Sequence, residues 1–386
     1  MSWWQLMKSE LRAVMSNSAV LLIIIGGCLF YSFLYPQPYL EQSPREQKIV
    51  VVNLDNTPFS RHLERMVDAT PEVKIVQHVT NIDEAKQLFY HGDVSGLMII
   101  PHDFYRDMMR NQSPVISYAG DASYFLIYSA IVQGSASAIG TLNASVSVSR
   151  LLAKGNSVLA QTKKNHAEIQ LNARPVFNPS VGYINYVVPA VFIIILHQTL
   201  LISVGILGGT QHEQTKKGIQ GYWLTEPVWK VISVRLLIFI CIYIPMMMYY
   251  MGLCFHFYGI SRLASVSNLF VFSLAFLTAT ASLGMVLGAL VPRRELVTFL
   301  VLLSSLPLVF SAGFIWPTEF LPQWINTLMQ FIPSTASILG FVKLNQMGAQ
   351  MSQILDNWLE LWKLAGLYLL LAYWLMVRKQ KSVIDI

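Results

Sequence analysis

A chain of 386 residues that is 54% hydrophobic and only 12% charged has about half the charge of a soluble domain, which argues against charged soluble enzymes and nucleic-acid binders. Its net charge of +6, from 27 Lys plus Arg against 21 Asp plus Glu, falls largely in short segments beside apolar runs, a membrane-topology pattern and not a nucleic-acid footprint. Cys28, Cys241 and Cys254 all lie in apolar runs, so neither a disulfide framework nor a thiolate zinc site is expected.

Residues 1–16 set Trp3, Trp4, Leu6, Met7, Leu11 and Val14 among Lys8, Glu10 and Arg12, the composition of an interfacial helix with an aromatic anchor. A first span follows at 17–35, and Lys8 and Arg12 before it argue for a cytoplasmic N-terminus. The rival reading is a signal peptide. The run ends in Tyr35-Pro36-Gln37-Pro38 without a small-x-small cleavage site, so we read an anchor.

Residues 36–181 hold most of the polar residues and are expected to form a periplasmic α/β domain. Strands are predicted at 49–54, 73–76, 96–100 and 115–118, with helices at 59–67, 82–90 and 104–110 between them. Thr57-Pro58, the Asn81 to Glu84 spacing and Gly92 supply helix caps. The order β-α-β-α-β-α-β predicts strands joined by helical crossovers. Residues 122–149 carry no charge and could pass for a further span. Their many serines, with Gln133, Thr141 and Asn143, suit a long small-residue helix packed on protein instead. A span here would also put Lys216, Lys217, Lys230, Arg235, Arg293, Arg294, Arg378, Lys379 and Lys381 outside, against the positive-inside bias.

The remaining spans are predicted at 186–207, 231–255, 269–290, 296–314 and 358–377, giving a membrane domain over 182–386 and both termini in the cytoplasm. The fold class is therefore an α-helical polytopic membrane protein of six spans with an inserted extracytoplasmic α/β domain. Between the last two spans, Trp316-Pro317, Pro322, Trp324 and Pro333 break a half-apolar stretch, which predicts a re-entrant segment over 315–345. Gly313, Trp316, Pro317, Glu319 and Pro322 are its gate candidates.

No phosphate-cradling G-x-x-x-x-G-K-S/T occurs, nor G-x-S-x-G, H-E-x-x-H or a Cys/His cluster at metal spacing. The chain is thus expected to have no catalytic centre and to bind no cofactor directly. His62, His78, His91 and His102 are read as surface or capping residues. The span interiors are read as free of acidic residues, unlike those of ion-coupled transporters. His197, Gln198 and His256 are the polar candidates for lining a pathway; interhelical hydrogen bonding is the other reading. The link at 209–230, with His212-Glu213-Gln214-Thr215-Lys216-Lys217-Gly218 and then Tyr222-Trp223-Leu224-Thr225-Glu226-Pro227, is too polar to span and rich in aromatics. It suits a short helix that docks on another protein, or else a solvated loop with interfacial aromatics.

At this link the chain resembles the permease subunits of type-2 ABC exporters, whose loop reads E-x-x-x-G-T-x-E-x-L-x-x-T/S-P. Glu213, Gly218, Leu224 and Pro227 fall near the corresponding places, while Ile219 and Gly221 stand where Thr and Glu are usual. The segment from Val50 through Asn53-Leu54-Asp55-Asn56-Thr57-Pro58 to Ser60 is similar to that family's opening of the extracytoplasmic domain. Gly92 to Pro101, and Ser311-Ala312-Gly313-Phe314-Ile315-Trp316-Pro317 with Leu321-Pro322-Gln323-Trp324, match two further segments in family order.

The resemblance implies a coupling helix at Glu213, Lys217, Gly218, Trp223, Leu224 and Pro227 that sits in a groove of a cytoplasmic ABC ATPase subunit. That partner would hold ATP-Mg. It further implies a second copy or paralogue of the permease, a periplasmic adaptor, contact with membrane lipids, no nucleic acid, and outward transport of an amphiphilic or hydrophobic substrate across the inner membrane. Two other functions stand beside it: a non-transporting envelope sensor, scaffold or receptor acting through the soluble domain, and a secondary transporter, which the lack of coupling carboxylates disfavours.

Overall fold

The computed structural model describes residues 1–40, 44–110, 112–120, 125–153, 177–178, 182–316 and 318–384. The chain divides into two compact units, Met1–Leu40 with Pro175–Ile386, and Glu41–Arg174.

Helix α1, Trp3–Met15, starts with a capping box: the Ser2 hydroxyl accepts from the Gln5 backbone N–H while the Gln5 side chain accepts from the Ser2 N–H. Its apolar stripe buries Leu6 and Val14, and Glu10 lies between them on the same face. Helix α2, Ser18–Tyr39, is the first of the long apolar helices and contains a π-helical turn at Leu22–Gly27.

The Glu41–Arg174 unit holds β1 (Gln47–Asn53), α3 (Pro58–Asp68), β2 (Val73–Val79), α4 (Ile82–His91), β3 (Gly96–Ile100), α5 (Phe104–Met109), β4 (Ser117–Gly120) and α6 (Phe125–Ala153). The sheet order is β2-β1-β3-β4. Central β1 is buried on both faces, which explains its unbroken Ile-Val-Val-Val run. Ile49 and Val51 face a cluster with Leu63, Val67, Phe104 and Ile131, while Val50 and Val52 face Ala85 and Val94. Helix α6 approaches closely at Gly134, where an added Cβ would lie 2.9 Å from Val73. The small residues of the uncharged stretch thus serve packing on the sheet. Residues 122–124, its predicted start, lie outside the described residues, as do 154–176.

One expectation fails at the end of the sheet. Strands β1, β2 and β3 pair in parallel, but β4 is antiparallel to β3, with Gly120 opposite Gly96. Helix α5 has six residues, a rise of about 9 Å, too short to carry the chain back along the roughly 16 Å of a five-residue strand. Among the described residues the chain makes up no more of that length with helix, and β4 returns antiparallel beside β3.

The other unit continues with α7 (Tyr183–Lys216), α8 (Tyr222–Thr225), α9 (Val228–Phe257), α10 (Val266–Leu290), α11 (Arg294–Ser311), α12 (Gln323–Met329), α13 (Pro333–Met347) and α14 (Leu355–Ile384). Among the described residues, six helices are long and apolar enough to cross a membrane: α2, α7, α9, α10, α11 and α14. Helices α12 and α13 meet at a bend of 85°, where Pro333 opens α13. Helix α7 is the buried centre. It meets α10 along a seam of glycines: an added Cβ on Gly288 would lie 2.8 Å from the Gly205 carbonyl oxygen, and one on Gly208 would lie 3.1 Å from the Gly288 Cα. Removing side chains lets the two backbones touch, the usual means of packing where lipid supplies no hydrophobic drive between helices.

The apolar helices are not free of acids. Glu360 lies in the second turn of α14 and is half-buried, and a carboxylate from outside the spans reaches into α9. Hydropathy counts composition along one helix and misses charges that a neighbouring element neutralises.

Candidate functional site: the link between α7 and α9

The link begins inside a helix. Helix α7 runs nine residues past the predicted end of its span, so His212, Glu213, Gln214 and Thr215 are its last turns. It stops at Gly218, which takes φ +80°. That left-handed position lets the Gly218 N–H reach the Thr215 carbonyl and the Ile219 N–H the Gln214 carbonyl, both at 3.0 Å. One turn of helix, α8, follows, and the extended Glu226-Pro227 pair leads into α9.

The second half of the link is tied down. The Trp223 indole N–H donates to Thr215 Oγ1 at 3.0 Å and Gln211 Nε2 donates to the Tyr222 hydroxyl at 3.0 Å, so α8 folds back on the end of α7. Gln380 on α14 donates to the carbonyls of Trp223 and Glu226, both at 2.9 Å. These satisfy the exposed C-terminal end of a one-turn helix. Glu226 is buried between the Met1 amino group and Lys230, whose Nζ lies 2.9 Å from the carboxylate. The hydrogen bonds from the Met1 amine and from Lys230 hold its carboxyl below the usual value of 4.5.

Under α8 lies an ion pair that the sequence reading missed. Arg235, the eighth residue of α9, is 2% exposed, and its Nε meets the Glu10 carboxylate of α1, which is fully buried. Arg235 Nη2 also donates to Gln211 Oε1 at 2.6 Å. The path Glu10, Arg235, Gln211, Tyr222 thus joins α1, α9, α7 and α8. Burial, and next the Glu10 carboxylate, push the Tyr222 phenol well above its ordinary range. In the sequence Arg235 counts only as one of the cations that the positive-inside bias keeps on the cytoplasmic side. Two signals pointed elsewhere: it sits inside Val-Ile-Ser-Val-Arg-Leu-Leu, and Glu10 holds the position four residues from both Leu6 and Val14 on a buried stripe.

The first half of the link is different. Lys216, Lys217, Gly218, Ile219 and Gln220 are all exposed, Ile219 by 50%. Glu213 faces sideways, accepting the Arg294 backbone N–H at 2.9 Å with the guanidinium Nε at 3.9 Å. It therefore caps the start of α11, a favourable place for a carboxylate. Leu224 lines a cavity beneath the link, and Pro227 is exposed.

The other predicted residues do not gather here. His197 is fully buried in α7 with neither ring nitrogen hydrogen-bonded among the described residues. Gln198 donates to Ser305 of α11 at 2.8 Å. His256 is exposed at the far end of α9. Gly313 turns the chain at φ +84°, and Trp316, Glu319 and Pro322 are exposed, with the Trp316 ring 6.4 Å from that of Phe320. Pro317 lies outside the described residues.

Six apolar helices, with a unit built on a four-stranded sheet inserted in the sequence after the first and a pinned link between the second and third, are the architecture of a polytopic membrane protein. The profile of the ABC-2 family transporter proteins matches residues 18–374, and the chain belongs to that family. It is similar to the inner membrane transport permease YhhJ of Escherichia coli K12, at 22% identity over 391 aligned residues covering 97% of this chain and 96% of that protein. The protein of the same name from Shigella flexneri matches equally well.

Proposed function

We propose that this chain is the membrane-spanning subunit of an inner-membrane exporter for an amphiphilic or hydrophobic substrate, driven by a separate ABC ATPase that docks on the link at 216–220. Family membership supports a permease that works with an ATPase partner and a second permease. The observation that carries the docking site is the contrast within the link: an exposed stretch with an outward Ile219 beside a stretch tied to α7, α9 and α14. A force on the exposed end is transmitted to three helices, because the tied end cannot yield without breaking those bonds. Positive-inside bias supports a cytoplasmic link and termini, hence an extracytoplasmic soluble unit.

The exposed apolar faces of α2 and α11, with Leu22, Phe30, Phe299, Leu303 and Leu306 outward, suit lipid or the second permease. The α12–α13 bend suits a re-entrant gate. ATP-Mg belongs to the partner; the permease would bind no cofactor. The test replaces Lys217 by Glu and Ile219 by Asp, both exposed and outside the tied half of the link. Both variants should insert in the membrane at normal abundance and lose substrate-stimulated ATP hydrolysis; full export by the double variant would refute the docking site.

A further inference from the structure

A cavity of about 540 Å³ opens beneath the link among the ends of α7, α8, α10 and α14, within the range of small-molecule sites. Among the described residues its lining contains no carboxylate. Of its cations, Arg235 is neutralised by Glu10, and Glu213, the acid on the same turn as His212, is turned to Arg294. That leaves Lys216 and Lys379, which line the cavity together. Neither has an ion-pair partner among the described residues. The floor is apolar, with Met285, Ala289 and Met376. Two unneutralised ammonium groups above a methionine-lined floor, at the level where two spans end, match the chemistry of an acidic headgroup joined to a hydrocarbon chain.

We propose that this cavity binds a phosphate ester, its oxyanion between Lys216 and Lys379 and its first carbons along Met285 and Met376. The ester can come from an anionic phospholipid or from a free phosphorylated metabolite. The proposal needs no ATPase partner, so it stands or falls apart from the docking site.

The test uses the full-length protein, delipidated in an uncharged detergent, with dioctanoyl phosphatidylglycerol, dioctanoyl phosphatidylcholine and glycerol 3-phosphate as probes. Native mass spectrometry counts bound molecules and thermal unfolding reports stabilisation. Phosphatidylglycerol should bind and raise the midpoint, and phosphatidylcholine should not. The Lys216→Gln/Lys379→Gln double variant should lose about thirtyfold in affinity, since each lysine at an anionic surface is worth about a factor of five. Lys381→Gln, outside the lining, should bind as wild type. If the double variant folds poorly, Lys216→Arg/Lys379→Arg keeps the charge and should keep binding, weakened by added salt. Glycerol 3-phosphate competing at equal concentration assigns the site to a free ester, and its failure to compete assigns it to the lipid. Equal binding of both lipids by wild type, or undiminished phosphatidylglycerol binding by the double variant, would overturn the proposal.

Discussion

The two halves of the link differ more from each other than either differs from the helices they join. Residues 216–220 are exposed and make no side-chain bond that holds them to the bundle among the described residues, whereas 222–226 are fastened by Gln211, Thr215, Gln380 and Lys230. A docking element needs both properties, an accessible surface and a stiff mounting. Separating them along ten residues lets each be optimised without the other. The contrast can be broken from the mounting side or probed from the surface side.

The largest expected effect comes from the mounting. Arg235→Ala leaves Glu10 charged and buried and should destabilise the protein by about 3 to 5 kcal/mol, read as a lower unfolding midpoint in detergent. The double variant Glu10→Leu/Arg235→Met should recover most of that loss, because an apolar pair removes both desolvation costs. Gln380→Ala should cost about 1 to 2 kcal/mol for two hydrogen bonds and raise proteolysis of the link without detaching α14. Glu226→Gln should cost less, with a pH signature. A carboxyl held below 4.5 contributes stability above its unfolded value and loses it as pH falls through the lower folded value. Wild type and variant should therefore differ by a constant amount from about pH 7 to 6 and converge as pH falls below about 4.5. Smallest of all, Ile219→Asp should change stability by no more than about 0.5 kcal/mol, yet abolish the coupling of hydrolysis to export; a large loss of stability would show that this half is mounting too.

What could be read from the sequence follows from how local each signal is. The six apolar runs, the strand run at Ile49 to Val52 and the caps at Thr57 and Gly92 are written in contiguous residues, and among the described residues the structure has a helix long and apolar enough to span for each run, the strand and both caps. The link as a whole was equally legible, being polar and aromatic between two apolar runs. Its inner division was not, since whether Trp223 faces α7 or solvent depends on Thr215 and on Gln380, which is 157 residues away. The Glu10–Arg235 pair joins residues 225 positions apart, so neither charge identifies its partner alone. The reversal of β4 is hidden for another reason: strand direction is set by the pairing of Gly120 with Gly96 across the sheet, which no run of neighbouring residues encodes.

The central claim is that the exposed end of the link meets an ATPase. A photo-crosslinking residue placed at Ile219 in intact membranes, with the same residue at Leu224 as the inward control, tests it most directly. The expected result is a covalent adduct at Ile219 to a protein bearing a nucleotide-binding G-x-x-x-x-G-K-S/T loop, and none at Leu224. An intact, abundant protein that yields no such adduct at Ile219 while exporting normally would contradict it.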